Sequence, residues 1–270
     1  LDQLDFVVRW RTRLGHAQVL LKYHSPMFDH FQTLQCTAID AHVLKVCLNR
    51  PEVGNALNTQ MAVELLELWL KLTDTPGDLR CVVFTAAGDK IFCGGGDLKE
   101  RNGMTQQAWQ HQHEIFERSY WAMVDLPLPI IGAVNGHAYG GGLEMALCCD
   151  FIYASQTARF ALPEVTLGIM PGMGGTQNLP RVLGERRAKE LLLTGQPFTA
   201  EQALDWGMVN QIAPASEVLA QAVATAQKIA ANAPLSVRQI KKSVRYGTQM
   251  DIKNAYRFEV EAYNRLVDTQ

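Results

Sequence analysis

Two glutamates and two glycine loops hold the chemistry this sequence could perform. The loops are residues 92–97 (FCGGGD) and 135–142 (NGHAYGGG). Each follows a short apolar run and precedes a helix-like stretch. That order turns backbone N–H groups into a pocket at a helix start, where negative charge is stabilised. Glycine admits a left-handed backbone and close approach of a ligand. It is also the default residue of a tight turn, so neither loop alone specifies a site. The spacing is neither G-x-G-x-x-G nor G-x-x-x-x-G-K-[ST], which argues against a dinucleotide fingerprint and a P-loop. One N–H from each loop could instead hold a developing oxyanion. Glu144 falls just inside the helix after the second loop, where a carboxylate also suits the macrodipole. Glu164 follows Pro163 in a turn, a place equally suited to a solvated side chain. Taken together, two carboxyls near an N–H pair give acid–base chemistry beside an oxyanion site.

The elements that must position these groups alternate strand, turn and helix. Residues 41–48, 80–85, 130–134, 150–154 and 158–161 read as short strands, several of them wholly apolar. Helical periodicity follows Asn58 and continues to Leu72, and it returns over 105–125 until Pro127 and Pro129 stop it. Residues 143–149, 188–193, 200–206 and 215–232 are helix-like, 163–175 is turn-rich, and 235–267 reads as helical and more charged. Short apolar strands interleaved with helices predict an α/β fold. The expected organisation is a leader or tag-like extension over 1–26 with Met27 as a natural start, a core over 27–214 and a helical unit over 215–270.

Composition narrows the function classes. The 270 residues hold 25 Lys+Arg and 27 Asp+Glu, a formal net charge of -2, which excludes a generally basic nucleic-acid binder. Hydrophobic residues make up 47 %, enough for a sizeable core. Six cysteines include no C-x-x-C pair and no zinc-ligand spacing, so no metal site is expected and a reducing compartment fits. Cys47 and Cys81 lie in apolar runs and should pack as small hydrophobes. No apolar run approaches the ~20 residues of a membrane span.

Ordered motifs identify a resemblance. Gly95-Gly96-Asp97-Leu98-Lys99-Glu100, Asn135-Gly136-His137-Ala138-Tyr139-Gly140-Gly141-Gly142-Leu143-Glu144 and residues 162–176 (LPEVTLGIMPGMGGT) are similar to the enoyl-CoA hydratase/isomerase (crotonase) superfamily. Leu48-Asn49-Arg50-Pro51 with Asn55-Ala56-Leu57-Asn58, and Leu193-Thr194-Gly195 with Ala203 and Gly207-Met208-Val209, match its earlier and later signatures. The likeness runs from about residue 34 to the end. Asp97-Leu98-Lys99-Glu100-Arg101 with residues 142–147 leans towards the methylglutaconyl-CoA hydratase branch.

The resemblance implies a ββα-spiral core with a C-terminal helical oligomerisation domain, and trimers often paired into hexamers. It implies a hydro-lyase, adding water reversibly across the C2–C3 double bond of a 2-enoyl-CoA thioester. Gly96 and Gly141 would supply the oxyanion-hole amides. Glu144 would orient and deprotonate the water, and Glu164 would deliver the proton to C2. Coenzyme A would lie along Asn55, Ala56, Leu57, Gly94, Asp97, Leu98, Lys99 and Gly172, with Lys99 reaching its phosphates. It belongs to the substrate, so no separate cofactor is implied. His111, His113, Phe116, Tyr120 and Trp121 lie on the helix that often borders the acyl pocket.

Retention of both glutamates favours a hydratase over an isomerase or a specialised acyl-CoA dehydratase. An RNA- or CoA-binding protein without catalysis fits less well, because helix 61–72 carries Lys71 alone as its cation. The cluster Arg238, Lys241, Lys242 and Arg245 reads as a solvated helix face. Gly94 and Gly96 stand where the family often has alanine, which keeps the N–H and loses only stiffness. The resemblance also implies a basic, aromatic tail beyond Gln270. The expected location is the cytoplasm, or the mitochondrial matrix in a eukaryote.

Overall fold

The computed structural model describes residues 28–267 and residue 269. The leader expected over 1–26, and Met27, lie outside them. Ten strands follow one another as β1 (Leu34–Ala38), β2 (Val43–Leu48), β3 (Cys81–Ala86), β4 (Ile91–Cys93), β5 (Ile130–Val134), β6 (His137–Tyr139), β7 (Phe151–Ser155), β8 (Arg159–Ala161), β9 (Phe198–Thr199) and β10 (Gln211–Ala213). They form a six-stranded sheet in the order β1-β2-β3-β5-β7-β10 and a four-stranded sheet in the order β4-β6-β8-β9. From β2 through β10 the larger sheet is parallel, and β1 is an antiparallel edge. Each turn of the chain adds a strand to the large sheet and then one to the small: β3 then β4, β5 then β6, β7 then β8. This is the ββα spiral that the family likeness implies.

Helices close the turns. α1 (Thr59–Asp74) opens where Asn58 accepts the Met61 N–H at 3.0 Å, the cap its side chain is suited to make. α2 (Leu98–Arg101) is one turn long and capped by Asp97. α3 (Gln106–Val124) packs along α1. α4 (Gly141–Ala146), α5 (Gly175–Leu183), α6 (Glu185–Thr194) and α7 (Ala200–Asp205) are short. α8 (Ala215–Ala230), α9 (Pro234–Gly247) and α10 (Ile252–Val267) follow.

The large sheet is buried on both faces, as its apolar strands require. In β3, Val82 and Phe84 face the main core with Trp69, Phe92 and Phe116, while Cys81 and Val83 face α8. Val218, Ala222, Ala226 and Ala230 recur every four residues on α8, and these small side chains let it lie on Val43, Ile131 and Ala133. α8 is thus a layer of the core, and the change to projecting helix comes near Ala233-Pro234 instead of at 215. The tail is helical, as expected, in two pieces. It breaks after Gly247, where the Asp251 carboxylate accepts from the N–H groups of Lys253 and Asn254 and starts α10 afresh. Cys47 and Cys81 are buried, and the six cysteines are all free thiols. No described helix is long and apolar enough to cross a membrane.

Candidate active site

The first glycine loop is held by α1's approach segment. Leu57 forms an isolated parallel bridge with Gly96: its N–H donates to Gly95 O at 2.8 Å, and Asp97 N–H donates to Leu57 O at 2.9 Å. In parallel pairing the flanking residues make both bonds, so the Gly96 N–H turns away from Leu57. Gly141 is the first residue of α4, and its N–H has no carbonyl one turn back. The two loops touch. Gly95 adopts φ +96°, and a side-chain carbon there would stand 3.0 Å from Tyr139 O and 3.4 Å from Gly141 N. The equivalent position on Gly141 is 3.9 Å from Gly96 N. Two free amides therefore lie side by side, as an oxyanion site needs.

Both glutamates converge on this place. Glu144, on α4, is 3 % exposed. Its Oε1 accepts N–H bonds from Met173 at 2.7 Å and Gly175 at 2.8 Å. Burial pushes its carboxyl up to about 7, and the facing Glu164 charge adds to this, against those two amides and Arg101, which pull it down. Glu164 sits in the 3-10 turn Pro163–Leu167. Its Oε1 is 3.2 Å from the side-chain position of Gly140, the residue before the second free amide. Its Oε2 is buried with no hydrogen-bond partner, and burial raises this carboxyl too. A buried acceptor without a partner is the exception in folded chains and calls for a guest.

The other expected ligand contacts divide. Asn55 is wholly buried at φ +53° and turned inward: its Oδ1 accepts the Arg50 N–H, and its amide donates to Ala87 O at 2.9 Å and Ile91 O at 3.0 Å. It builds the turn and offers no side-chain atom to a ligand. Leu57 is likewise buried, and Asp97 is spent on capping α2 and on a 3.0 Å ion pair with Arg50. Arg50 also donates to Ala56 O, which ties this turn to the first loop. Gly94, Leu98, Lys99 and Gly172 are exposed and Ala56 is half-buried, so these remain open to a ligand. Asn55→Ala should therefore cost about 2–4 kcal/mol through the groups it strands. Denaturant midpoints check this, and the variant that still folds should keep its KM.

A cleft of about 1130 Å3 opens between α3, α5 and α9. Met173, whose N–H holds Glu144, lies on its wall with Tyr120, Cys148 and Asn178. Tyr120 Oη accepts from the Asn178 amide at 3.2 Å. Of the residues expected to border an acyl pocket, His113 and Tyr120 reach Gly172 and Gly174, Trp121 lines the cleft while half-exposed, Phe116 is core, and His111 is exposed. The basic cluster is only in part a solvated face: Lys242 is exposed, but two of its cations find partners. Lys241 turns inward onto Asp150 and Leu128 O, each at 2.8 Å, and Arg245 faces Asp125 at 3.8 Å. Sequence reasoning gave no role to the Met173 and Gly175 amides, whose only sign was the glycine density after Pro171, nor to Arg101. Among the described residues, no group of three or more His, Cys, Asp or Glu is placed to hold a metal.

A spiral of paired strands, two free amides side by side, a buried carboxyl and a half-buried one define an acid–base site beside an oxyanion hole. The family model described as enoyl-CoA hydratase/isomerase matches residues 38–270. The chain is 38 % identical over 231 residues to the short-chain-enoyl-CoA hydratase of Clostridium acetobutylicum, covering 86 % of this chain and 88 % of that one. It is 35 % identical over 223 residues to the crotonyl-CoA hydratase of Syntrophomonas wolfei, covering 83 % and 85 %. The crystal structure of an enoyl-CoA hydratase from Bacillus anthracis superimposes with a TM-score of 0.86 at 38 % identity, over 88 % of this chain and 92 % of that one. The chain belongs to the enoyl-CoA hydratase/isomerase family.

Proposed function

We propose that this protein is an enoyl-CoA hydratase, a hydro-lyase that adds water reversibly across the C2–C3 double bond of a 2-enoyl-CoA thioester. The observation that carries the reading is the convergence of Glu144 and Glu164 on the free amides of Gly96 and Gly141. The amides receive the thioester oxygen, which makes C3 electrophilic and stabilises the enolate that forms as water adds. Glu144 orients and deprotonates the water, and Glu164, with its unpaired Oε2, passes a proton to C2. Dehydration runs the same steps in reverse. The carboxyls act as one coupled pair. The coenzyme is part of the substrate, and the reading needs no other cofactor.

The test is turnover of crotonyl-CoA in 18O-water, followed by loss of enoyl thioester absorbance. Label at C3 is expected. Since burial raises both carboxyls, kcat/KM should fall on the acid side through a limb above the ordinary carboxylate range of about 4. A shifted alkene without solvent oxygen would make the enzyme an isomerase, and absence of turnover on any enoyl-CoA would remove the reading.

Self-association into trimers, paired or not, is part of the proposal. Ile240, Val244, Ile252, Tyr256 and Tyr263 on α9 and α10 are each more than 60 % exposed, an apolar surface that a second copy would cover. Sedimentation should give a multiple of the 30.0 kDa chain. A stable monomer at micromolar concentration counts against it.

A further inference from the structure

Arg101, at the end of α2, is a half-buried cation with no carboxylate within ion-pair distance among the described residues. Its guanidinium fills the space that a side chain on Gly96 would take: a carbon there would meet Cζ and Nη1 at 3.0 Å and Nη2 at 3.4 Å. The glycine of the first loop and the arginine five residues on thus occupy one volume. Two contacts fix the group from behind. Its Nε donates to Gln112 Oε1 at 3.0 Å, and its Cζ stands 5.6 Å from the centre of the Phe116 ring. Gln112, 1 % exposed, cannot turn over, because its amide donates to Thr59 Oγ1 and Glu100 Oε2, each at 2.8 Å. Glu100 is spent on Thr59 N–H and Gln112 and makes no bond to Arg101. The Nη1 and Nη2 atoms make no hydrogen bond to any described residue. A guanidinium half-buried without a direct ion pair is costly, the charges of Glu100 and Glu144 easing its burial from beyond contact, and a chain that builds four residues around it holds it for its field.

We propose that Arg101 is a positioning residue of the reaction, whose fixed positive charge, set against the first oxyanion loop, keeps the Glu144 carboxyl ionised and favours negative charge at the oxyanion. This rests on the hydratase reading. The other groups facing Glu144 are Glu164 from its 3-10 turn, Tyr120 from α3 and Cys148 after α4, whose Sγ donates to Glu144 O. Arg245 of α9 faces Tyr120 and Cys148 from farther out. Of these, Arg101 is the cation that pulls the Glu144 carboxyl down, against burial and the Glu164 charge. Its field is felt strongly because Glu144 is buried.

Arg101→Met is compared with Arg101→Lys and with Arg245→Met, using crotonyl-CoA across the pH range. A nearby opposite charge lowers a carboxyl by about one unit or more, and Arg101 is the smallest of the influences on Glu144, so the low end of that range applies. Arg101→Met should therefore move the acid limb of kcat/KM upward by about one pH unit, with a loss near tenfold at low pH and a smaller one on the plateau. Arg101→Lys should restore most of the limb, and Arg245→Met should leave it in place. Equal loss at every pH, with a lowered melting temperature, would make Arg101 structural and overturn the proposal. So would an unmoved limb, or a loss confined to acyl groups bearing a second carboxylate, which would make Arg101 a reader of substrate charge. Failure of the wild-type enzyme to hydrate crotonyl-CoA would strike the hydratase reading instead.

Discussion

Glu144→Gln lowers kcat by about 10²–10⁴-fold, the span a positioned acid–base group supplies, with KM little changed. The fold should survive. A glutamine carbonyl can accept the Met173 and Gly175 amides as Oε1 does at 2.7 and 2.8 Å. Stability gives a second readout with a defined sign. The folded-state carboxyl is raised to about 7, above its unfolded value. Its contribution is thus fully present below the ordinary carboxylate range and is lost as pH rises through 7, where a buried charge must form. Glu144→Gln escapes that cost. It should match the wild type near pH 5 and be the more stable above pH 8, by about 1–3 kcal/mol. Urea midpoints at the two pH values measure the crossing. Turnover within tenfold of wild type would remove Glu144 from the reaction, and parallel pH–stability curves would show its burial to be costless.

Gly142→Ala should damage both stability and rate although residue 142 contacts no substrate. A side-chain carbon on Gly142 would stand 2.3 Å from Cys93 O and 2.7 Å from Cys93 Cβ. The first obstacle is backbone, which cannot swing aside. α4 must lift away from the end of β4, at about 1–3 kcal/mol for overpacking. That lift also parts the two glycine loops. A displacement of about 1 Å in a reacting geometry can cost on the order of 10²-fold. Low kcat with near-normal substrate affinity, in a protein that still unfolds cooperatively, is the expected result. A variant of wild-type activity would mean that the loops tolerate separation, and that oxyanion donors need not meet at this spacing.

The amino-acid sequence determined the chemistry that was possible, and much of the scaffold. Short apolar runs bounded by turn residues, such as 130–134 between Pro129 and Asn135-Gly136, read as buried strands, and Asn58 and Thr105 cap the helices that follow them, so these elements are local properties. The glycine loops and both acids were legible only together, as ordered motifs, since each alone suits a tight turn, a helix start or a solvated side chain. The three-residue strands β4 and β6 were not, since three residues carry no periodicity and sit in segments dominated by turn residues. Asn55 and Asp97 looked like ligand contacts in the motif, yet their side chains are consumed by carbonyls, amides and Arg50 that arrive from other turns of the spiral. α8 looked like the start of a separate helical unit until its alanine stripe met the outer face of the large sheet. Only tertiary structure decided that Oε1 of Glu144 takes two amides from some thirty residues away, that Glu164 faces it, and that Arg101 lies over Gly96. The reason is physical. A sequence fixes which groups can bond, but a field, a desolvation cost or a shared volume exists only between groups that folding has brought within a few ångströms.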